Sequence, residues 1–192
     1  MQSVTSFAIP EGLHAEAVAF ERGGVTIIAS LEKQPGQCPE CGRSSRRVRG
    51  HYRRTVADLP WAGVPVRLRV RVSKYRCENP RCRRKIFAER LQGVAQCYAR
   101  RTDRQREALE QVGLALGGEA GSRLAADLGL LTSPDTLLRY IKHLPHLHLE
   151  PVRVLGIDDW SWRKRVRYGT ILVDLERDKV VDLLPDHHLV TL

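Results

Sequence analysis

The fold is decided by two stretches of this sequence, Cys38-Pro-Glu-Cys41 and Cys77-Glu-Asn-Pro-Arg-Cys82. Each stretch places two thiols on one short turn, and 35 residues separate the two turns. Two such pairs suit a tetrahedral zinc site with four thiolate ligands. Thiolates favour zinc, and neighbouring Arg and Lys side chains help to keep them deprotonated. We therefore predict a zinc-binding ribbon domain over residues 34–96 with a structural Zn²⁺ held by Cys38, Cys41, Cys77 and Cys82.

Other interpretations of the cysteines receive less support from the sequence. Disulfides need an oxidising compartment, and residues 1–8 lack the basic start and apolar core of a signal peptide. His51 could replace one thiolate, although it lies outside both pairs. The fifth cysteine, Cys97, is expected to be a small buried hydrophobic residue. Because no apolar run approaches the roughly 20 residues of a membrane span, we expect a soluble protein of the cytoplasm without a membrane partner.

The charge of the chain is unevenly distributed. The 192 residues are 42% hydrophobic, as in ordinary globular proteins, and carry a formal net charge of +10. Residues 38–106 alone hold 20 basic and 5 acidic side chains. A segment this basic attracts polyanions by counterion release, so nucleic acid is the expected partner. A merely solubilising surface is the alternative, but such surfaces usually interleave the two signs.

A strand between the cysteine pairs alternates strictly between apolar residues and arginines over residues 66–72. The period of two places the apolar residues on one face, where we expect them to pack on Trp61 and the zinc knuckles. The opposite face carries Arg67, Arg69 and Arg71, whose guanidinium groups suit the phosphate oxygens of a nucleic-acid backbone. The alternative is a solvated edge strand that its charges protect from pairing.

From residue 102 onward, apolar residues recur with helical spacing, which predicts three short helices. Thr102 and Gln105 form a capping-box signature, Gly129 is typical of a helix end, and Ser133-Pro134-Asp135 is typical of a helix start. The tight link between the last two helices predicts a helix-turn-helix domain over residues 97–146. Its core is expected to contain Ala108, Leu109, Val112, Leu116, Ala120, Leu124, Ala125, Leu128, Leu137, Leu138, Ile141 and Leu144.

In a helix-turn-helix the third helix enters the major groove of DNA. Here its exposed face is expected to carry Thr136, Arg139 and Lys142, within reach of bases and phosphates. Arg101 and Arg104 belong to a basic cluster that would lie beside the same DNA. A plain three-helix bundle is the alternative interpretation.

Two β-rich segments flank these domains. Residues 1–33 predict an N-terminal hairpin, and residues 147–192 predict an antiparallel meander of three strands. The first strand of the meander leads into Asp158 and Asp159, as at the start of an RNase H-like fold, which mounts acids on a central strand to hold divalent metals. The predicted fold class is therefore α+β multidomain: a zinc ribbon-like β module, a three-helix helix-turn-helix unit and the first three antiparallel strands of an incomplete RNase H-like fold.

The order of these parts resembles the ISL-three family of bacterial insertion-sequence transposases. The resemblance covers about residues 18–186. It is carried by Cys38-Pro-Glu-Cys41, Asp58-Leu-Pro-Trp61, Tyr75-Arg-Cys77 with Cys82, Ile86-Phe-Ala-Glu-Arg90, Gly156-Ile-Asp-Asp-Trp160, Arg167-Tyr-Gly-Thr-Ile-Leu-Val-Asp-Leu175 and Val181-Asp-Leu-Leu-Pro-Asp186.

The resemblance implies DNA transposition and a place in the bacterial cytoplasm, associated with the nucleoid. It implies a zinc-binding N-terminal domain, a helix-turn-helix that grips terminal inverted repeats of double-stranded DNA, and an Asp-Asp-Glu core. In such a core two Mg²⁺ or Mn²⁺ ions activate water or a 3′-hydroxyl group. Asp158 matches the first catalytic acid, and Asp159 is expected to be structural. Asp174 and Asp182 match no catalytic position.

The sequence departs from that family pattern at its end. A transposase of this type would continue to a second Asp and a Glu, whereas this sequence stops at Leu192. One carboxylate cannot hold two hard cations, so we expect a truncated form that keeps zinc-dependent DNA binding without catalysis. One alternative is a stand-alone inhibitor or regulator of a full-length transposase. Another is a protein-interaction fragment whose open sheet edge pairs with a full-length transposase or a second copy.

Overall fold

The structure, a computed structural model, describes residues 9–32, 34–144, 151–163 and 167–186. It divides the chain into two compact units, Met1–Leu144 and Pro145–Leu192. The predicted hairpin, ribbon and three helices all belong to the first unit, and the predicted meander belongs to the second. The predicted boundary between residues 146 and 147 lies outside the described residues. The architecture is mixed α+β.

The first unit is built on a five-stranded sheet. Its strands are β1 (Leu13–Glu21), β2 (Gly24–Leu31), β5 (Val48–Trp61), β6 (Val64–Arg76) and β7 (Ile86–Ala88). The order is β1-β2-β6-β5, and β7 pairs with the end of β6. A separate small sheet joins β3 (Gly36–Gln37) to β4 (Ser44–Ser45). The N-terminal hairpin is thus part of the same sheet as the strands of the ribbon.

Strand β6 is central in this sheet. It pairs in parallel with β2 and antiparallel with β5, so that Leu68 lies between Ile27 and Val56. The edge-strand alternative for residues 66–72 is therefore wrong. The predicted alternation is confirmed, because four side chains on one face are at most 1% exposed: Val66, Leu68, Val70 and Val72.

The apolar face of β6 packs on a core different from the one that the sequence predicts. Its main neighbours come from β2, β5 and the segment at residues 91–95, and Trp61 packs against the edge of this cluster as expected. The knuckle cysteines instead form a second cluster with Tyr75 and Phe87, whose ring centroids lie 5.8 Å apart. The two clusters separate because alternate residues of a strand face opposite sides: Val72 faces the first cluster and Tyr75 the second.

Three helices follow in the described part of the chain: α1 (Asp103–Leu116), α2 (Glu119–Asp127) and α3 (Pro134–Lys142). The predicted caps are present, since Thr102 Oγ1 accepts a hydrogen bond from the Gln105 N–H and Ser133 Oγ accepts one from the Thr136 N–H, both at 3.3 Å. The capping box at Thr102 is only half formed. The side chain of Gln105 donates to the carbonyl oxygen of Asp58 instead.

The helical core is smaller than the sequence predicts. Its buried members are Leu109, Ala125, Leu130 and Leu137. Four leucines that were expected inside are 41–48% exposed: Leu116, Leu124, Leu128 and Leu138. Each helix buries only the stripe that faces its neighbours, and these four leucines lie outside that stripe. The helices approach closely at Gly121, where a Cβ would lie 3.0 Å from Leu137.

The second unit is a meander of β8 (Leu155–Arg163), β9 (Arg167–Asp174) and β10 (Lys179–Leu184). Its strand order is β10-β9-β8 with antiparallel pairing, as the sequence predicts. The placement of the carboxylate pair differs from the prediction. Asp158 and Asp159 lie within β8, opposite Ile171 and Thr170, because β8 continues beyond them to Arg163. Within the described ranges, no helix has the length and apolar character needed to cross a membrane.

Candidate metal centre and nucleic-acid interface

The four predicted cysteine ligands converge at one point. Their sulfur atoms all lie within 4.8 Å of one another. The Sγ atoms of Cys38 and Cys82 are 3.9 Å apart, and those of Cys41 and Cys77 are 3.6 Å apart. Four sulfurs on a tetrahedron with Zn–S bonds of about 2.3 Å would be separated by about 3.8 Å. The four cysteines are therefore positioned to bind a zinc ion, and His51, an exposed residue of β5, is not part of this cluster.

Local hydrogen bonds shape the two knuckles. In the first, the Cys38 N–H donates to the Arg43 carbonyl and the Gly42 N–H donates to the Cys38 carbonyl, at 3.0 and 2.9 Å. In the second, the Cys77 N–H donates to the Lys85 carbonyl at 2.9 Å and closes a loop that contains Cys82. Because β6 leads directly into Cys77, the central strand of the sheet positions one side of the metal site.

The thiols of this cluster differ in acidity. A hydrogen bond from the backbone of Arg43 lowers the pKa of the Cys41 thiol to about 6. Burial raises the pKa of the Cys82 thiol to about 12. The pKa of Cys77 is also raised: a backbone hydrogen bond from Asn79 lowers it, but burial and the neighbouring cysteines outweigh that bond. A bound dication favours the thiolate form of all four ligands.

The outward face of β6 carries the predicted arginine row. Arg67, Arg69 and Arg71 are exposed and follow one another at intervals of about 6.6 Å, which is two residues of a strand. Among the described residues, no ion pair or hydrogen bond engages their guanidinium groups. The row therefore presents three unneutralised charges in the middle of a sheet rather than at its edge.

A fourth arginine on this face was missed by the sequence analysis. Arg53 of β5 is exposed and lies directly opposite Arg71. The signal that could have found it is the two-residue turn after Trp61. Ala62 and Gly63 both have positive φ, of 48° and 80°, as in the tight turns that fix hairpin register. Counting back from that turn, with the bulge near Asp58, brings Arg53 onto the arginine face.

The predicted contacts on α3 are only partly open to solvent. Arg139 and Lys142 are exposed, and Thr136 is half-buried beside the capping residue Ser133. The carbonyl oxygen of Arg139 lies 2.7 Å from Nδ1 of His143, which closes the end of the helix. The two basic side chains project from the last two turns of α3, where cations also interact favourably with the helix dipole.

Arg104 lies at a junction between the sheet and α1. Its Nε donates to Asp58 Oδ1 at 2.7 Å, and its Nη2 pairs with Asp58 Oδ2. Thr102 Oγ1 also donates to Asp58 Oδ1 at 2.7 Å, and Asp58 itself is 1% exposed. Two of the nitrogens of Arg104 thus bond within the protein, whereas the sequence places Arg104 in a basic cluster beside DNA.

Arg101 connects the sheet to α3. The backbone of Arg101 forms a parallel β-bridge with Ala57 at the outer edge of β5. Its Nη2 donates to the Leu131 carbonyl at 3.0 Å, and its Nη1 lies 3.5 Å from the hydroxyl of Tyr140 on α3. Arg101 therefore lies between the two surfaces to which DNA contacts were assigned.

Comparison with known families identifies the metal-binding segment. Residues 34–82 match the family model for the zinc-finger of transposase IS204/IS1001/IS1096/IS1165. This segment is similar to the zinc ribbon of those transposases. The match covers about a quarter of the chain and includes all four cysteine ligands and the arginine row. Comparisons with curated proteins and with solved structures give no match.

Outside the zinc ribbon, Asp158 belongs to no group of three or more potential metal ligands among the described residues. Its carboxylate is exposed on β8, where Oδ1 accepts a hydrogen bond from the Asp159 N–H at 2.7 Å. Asp174 is buried and accepts hydrogen bonds from its own turn at residues 176 and 177. Within the ranges that the structure describes, the cysteine cluster is the only group of three or more potential metal ligands.

The fifth cysteine corrects one prediction. Cys97 is exposed rather than buried. It lies in a stretch of turns before α1, whose position is held by the side chain of Arg54. The Nη2 atom of Arg54 donates to the carbonyl oxygens of Gln96 and Ala99. These bonds fix the backbone around Cys97 and leave its thiol outside the core and outside the zinc ribbon.

Proposed function

We propose that this chain is the DNA-binding part of an insertion-sequence transposase of the ISL-three type, and that it binds the terminal inverted repeats as double-stranded DNA. The observation that carries the proposal is the row of Arg67, Arg69 and Arg71 on the zinc ribbon. These charges are exposed and unpaired among the described residues. Guanidinium forks match the geometry of phosphate oxygens, so the row suits a DNA backbone.

Sequence preference would come from α3. The last two helices are joined by the short link at residues 128–133, which fits a helix-turn-helix arrangement. With α3 in the major groove, Arg139 could form bidentate hydrogen bonds to a guanine edge, while Thr136 and Lys142 contact the flanking backbone. The division of labour is then between a sheet that positions the DNA and a helix that reads it.

Zinc has a structural role in this proposal. The metal ties the end of β6 at Cys77 to the first knuckle at Cys38 and Cys41, and thereby orders the strand that carries the arginines. When bound, the ion supplies folding energy and no reaction chemistry. DNA binding should consequently depend on zinc even though no cysteine touches the DNA.

Strand cleavage and joining are not part of the proposed function. Each hard dication needs several oxygen ligands, and within the described part of the chain Asp158 belongs to no group of three potential metal ligands. We propose that the chain binds transposon ends without cutting them, and that it can occupy sites of a complete transposase. Nicking of DNA by the purified chain with Mg²⁺ or Mn²⁺ would contradict this part of the proposal.

Fluorescence anisotropy tests the DNA-binding function. Labelled duplex from the terminal repeats that flank the gene is compared with a scrambled duplex of equal length and composition. The titrations are repeated at several salt concentrations, with zinc and then with chelator. We expect tight, repeat-selective binding that the chelator abolishes. Equal and weak binding to both duplexes would contradict the proposal and leave only nonspecific charge attraction.

A second candidate function is association with another chain through the meander. Several large apolar side chains of this small sheet are about half exposed, among them Ile157, Leu175 and Val180 at 57%, 54% and 55%. A three-stranded sheet with so much apolar surface is a suitable docking element for a full-length transposase or a second copy. Light scattering over a concentration series tests this function, and a monomer at every concentration together with no binding to a full-length transposase would contradict it.

A further inference from the structure

The contacts that join the sheet to the helices suggest how the two DNA-binding surfaces work together. We propose that Asp58 and Arg101 are positioning residues that fix α3 relative to the arginine face, so that both surfaces engage one duplex at a single set spacing. This inference rests on the proposed DNA-binding function. It adds that the zinc ribbon and α3 recognise DNA as one rigid body rather than as two linked modules.

The first support is the register across the sheet. Arg67 lies opposite Ala57, and Ala57 in turn bridges to Arg101. Residues paired across neighbouring strands share a face of the sheet, so Arg101 continues the arginine face beyond the edge of β5. Two backbone hydrogen bonds of 2.9 Å hold this bridge, from the Ala57 N–H to the Arg100 carbonyl and from the Thr102 N–H to the Ala57 carbonyl.

The second support is what Arg101 does at that edge. Its guanidinium donates to Leu131 in the link before α3 and approaches Tyr140 within α3. The side chain therefore ties the recognition helix to the same face that carries Arg67. Because the planar guanidinium makes both contacts at once, it restricts the orientation of α3 as well as its distance.

The third support is the opposite side of the same junction. There Asp58 accepts hydrogen bonds from Thr102 and Arg104 at the start of α1, and its carbonyl accepts one from Gln105. Asp58 is fully buried, so these bonds are shielded from water. Arg101 and Asp58 thus hold the helices from both faces of the sheet, which prevents rotation about the bridge at Ala57.

The fourth support is a direct backbone contact. A Cβ on Gly129 would lie 2.2 Å from the carbonyl oxygen of Gly63, at the tip of the β5–β6 hairpin. Gly129 has a φ of 81°, so its conformation and its closeness both require glycine. The α2–α3 link therefore rests against the hairpin whose second strand carries the arginines.

The experiment uses the full chain and a duplex selected by it from a random-sequence library. Hydroxyl-radical footprinting first locates the protected segments. We expect Arg69→Ala to weaken protection of one segment and Arg139→Ala that of another, while the control variants Arg22→Ala and Arg123→Ala change neither. A five-base-pair insertion between the segments then rotates one by about half a turn relative to the other.

For the wild-type chain we expect the insertion to reduce affinity at least tenfold. In Arg101→Ala and Asp58→Asn the same insertion should reduce affinity less than threefold, because α3 is no longer fixed to the sheet. Arg104→Lys provides a milder variant if Asp58→Asn loses zinc or secondary structure. A general loss of stability would weaken binding to both duplexes equally, so the ratio of the two affinities distinguishes positioning from stability.

The outcomes separate this inference from the proposed function. The inference is overturned if the insertion lowers the affinity of the wild-type chain less than twofold. It is also overturned if the insertion lowers the affinity of the well-folded variants as much as that of the wild type. In both cases DNA binding stands. If the selection yields no bound duplex, the proposed function fails and the inference fails with it.

Discussion

Asp58 and Arg104 form an ion pair across the junction between β5 and α1, with the carboxylate of Asp58 fully buried. Thr102 shares the same carboxylate through its hydroxyl group. The pair links residues 46 positions apart in the sequence, so it belongs to the tertiary structure rather than to any local motif. Removing either partner leaves polar groups unsatisfied at the point where the helices meet the sheet.

The first prediction concerns this junction. Asp58→Ala should lower the free energy of unfolding by about 2–4 kcal/mol, because Arg104 and Thr102 lose their acceptor; the partial exposure of Arg104 keeps the value below that of a fully buried pair. Chemical denaturation of the zinc-loaded chain measures the change. Asp127→Ala, at an exposed position near the end of α2, is the control and should change stability by less than about 0.5 kcal/mol.

The metal site gives the second prediction. Cys77→Ser should release zinc and unfold the ribbon, because one of four ligands is lost and the metal contributes folding energy. Cys97→Ser should keep zinc at full stoichiometry, since Cys97 is exposed and lies outside the cluster. Metal analysis of the purified variants measures the zinc content of each. Full zinc in Cys77→Ser would refute the four-cysteine assignment.

Zinc affinity should also depend on pH. The raised pKa values of Cys77 and of Cys82, the latter about 12, mean that both thiols hold protons at neutral pH before zinc binds. Zinc displaces those protons, so affinity should rise with pH and fall as the solution is acidified, by at least about tenfold per pH unit for each proton released. Competition with a chelator at pH 6, 7 and 8 measures this, and a pH-independent affinity would contradict it.

The arginine face predicts a particular kind of DNA-binding defect. Arg69→Ala should weaken binding to all duplexes to a similar extent and reduce the slope of log affinity against log salt by about one, as for loss of one phosphate contact. Arg22→Ala, in the exposed β1–β2 turn, removes the same charge away from this face. Equal salt slopes for Arg69→Ala and the wild type would show that Arg69 faces solvent in the complex.

On α3 the expected defect is different. Arg139→Ala should cost roughly 1–3 kcal/mol on the preferred duplex and relax sequence preference, because a bidentate contact to a base is lost. Arg123→Ala on α2 is the matched control. Binding titrations on the selected duplex and on single-base variants of it provide the measurement. An unchanged sequence preference in Arg139→Ala would indicate that α3 has only a structural role.

Local patterns accounted for the parts of the molecule that local interactions determine. The alternation of residues 66–72 identified the buried and exposed faces of β6, and the spacing of the cysteines identified the metal ligands. The caps of α1 and α3 at Thr102 and Ser133 were likewise visible, since each depends on a contact three residues away.

The remaining features depend on contacts between distant residues. Nothing near Asp58 in the sequence identifies Arg104 as its partner, and the basic residues around Arg104 indicate a contact with DNA instead. The exposed leucines of the helices have the spacing of core residues. They stay exposed because each helix buries only the stripe that faces its neighbours, and tertiary packing decides which stripe that is. The parallel pairing of β2 with β6 also cannot be predicted from the periodicity of apolar residues, because it joins strands that are distant in the sequence.

That parallel pairing has a consequence for synthesis of the chain. Strand β2 leaves the ribosome before its partner β6, which begins at Val64, more than thirty residues after β2 ends. The antiparallel β5–β6 hairpin closes through a two-residue turn and can form quickly, whereas the contact between β2 and β6 must wait for a long loop to close. Until then the apolar side chains of Val25, Ile27 and Ala29 lack their cover. The nascent chain, rather than the finished protein, is the form most exposed to aggregation.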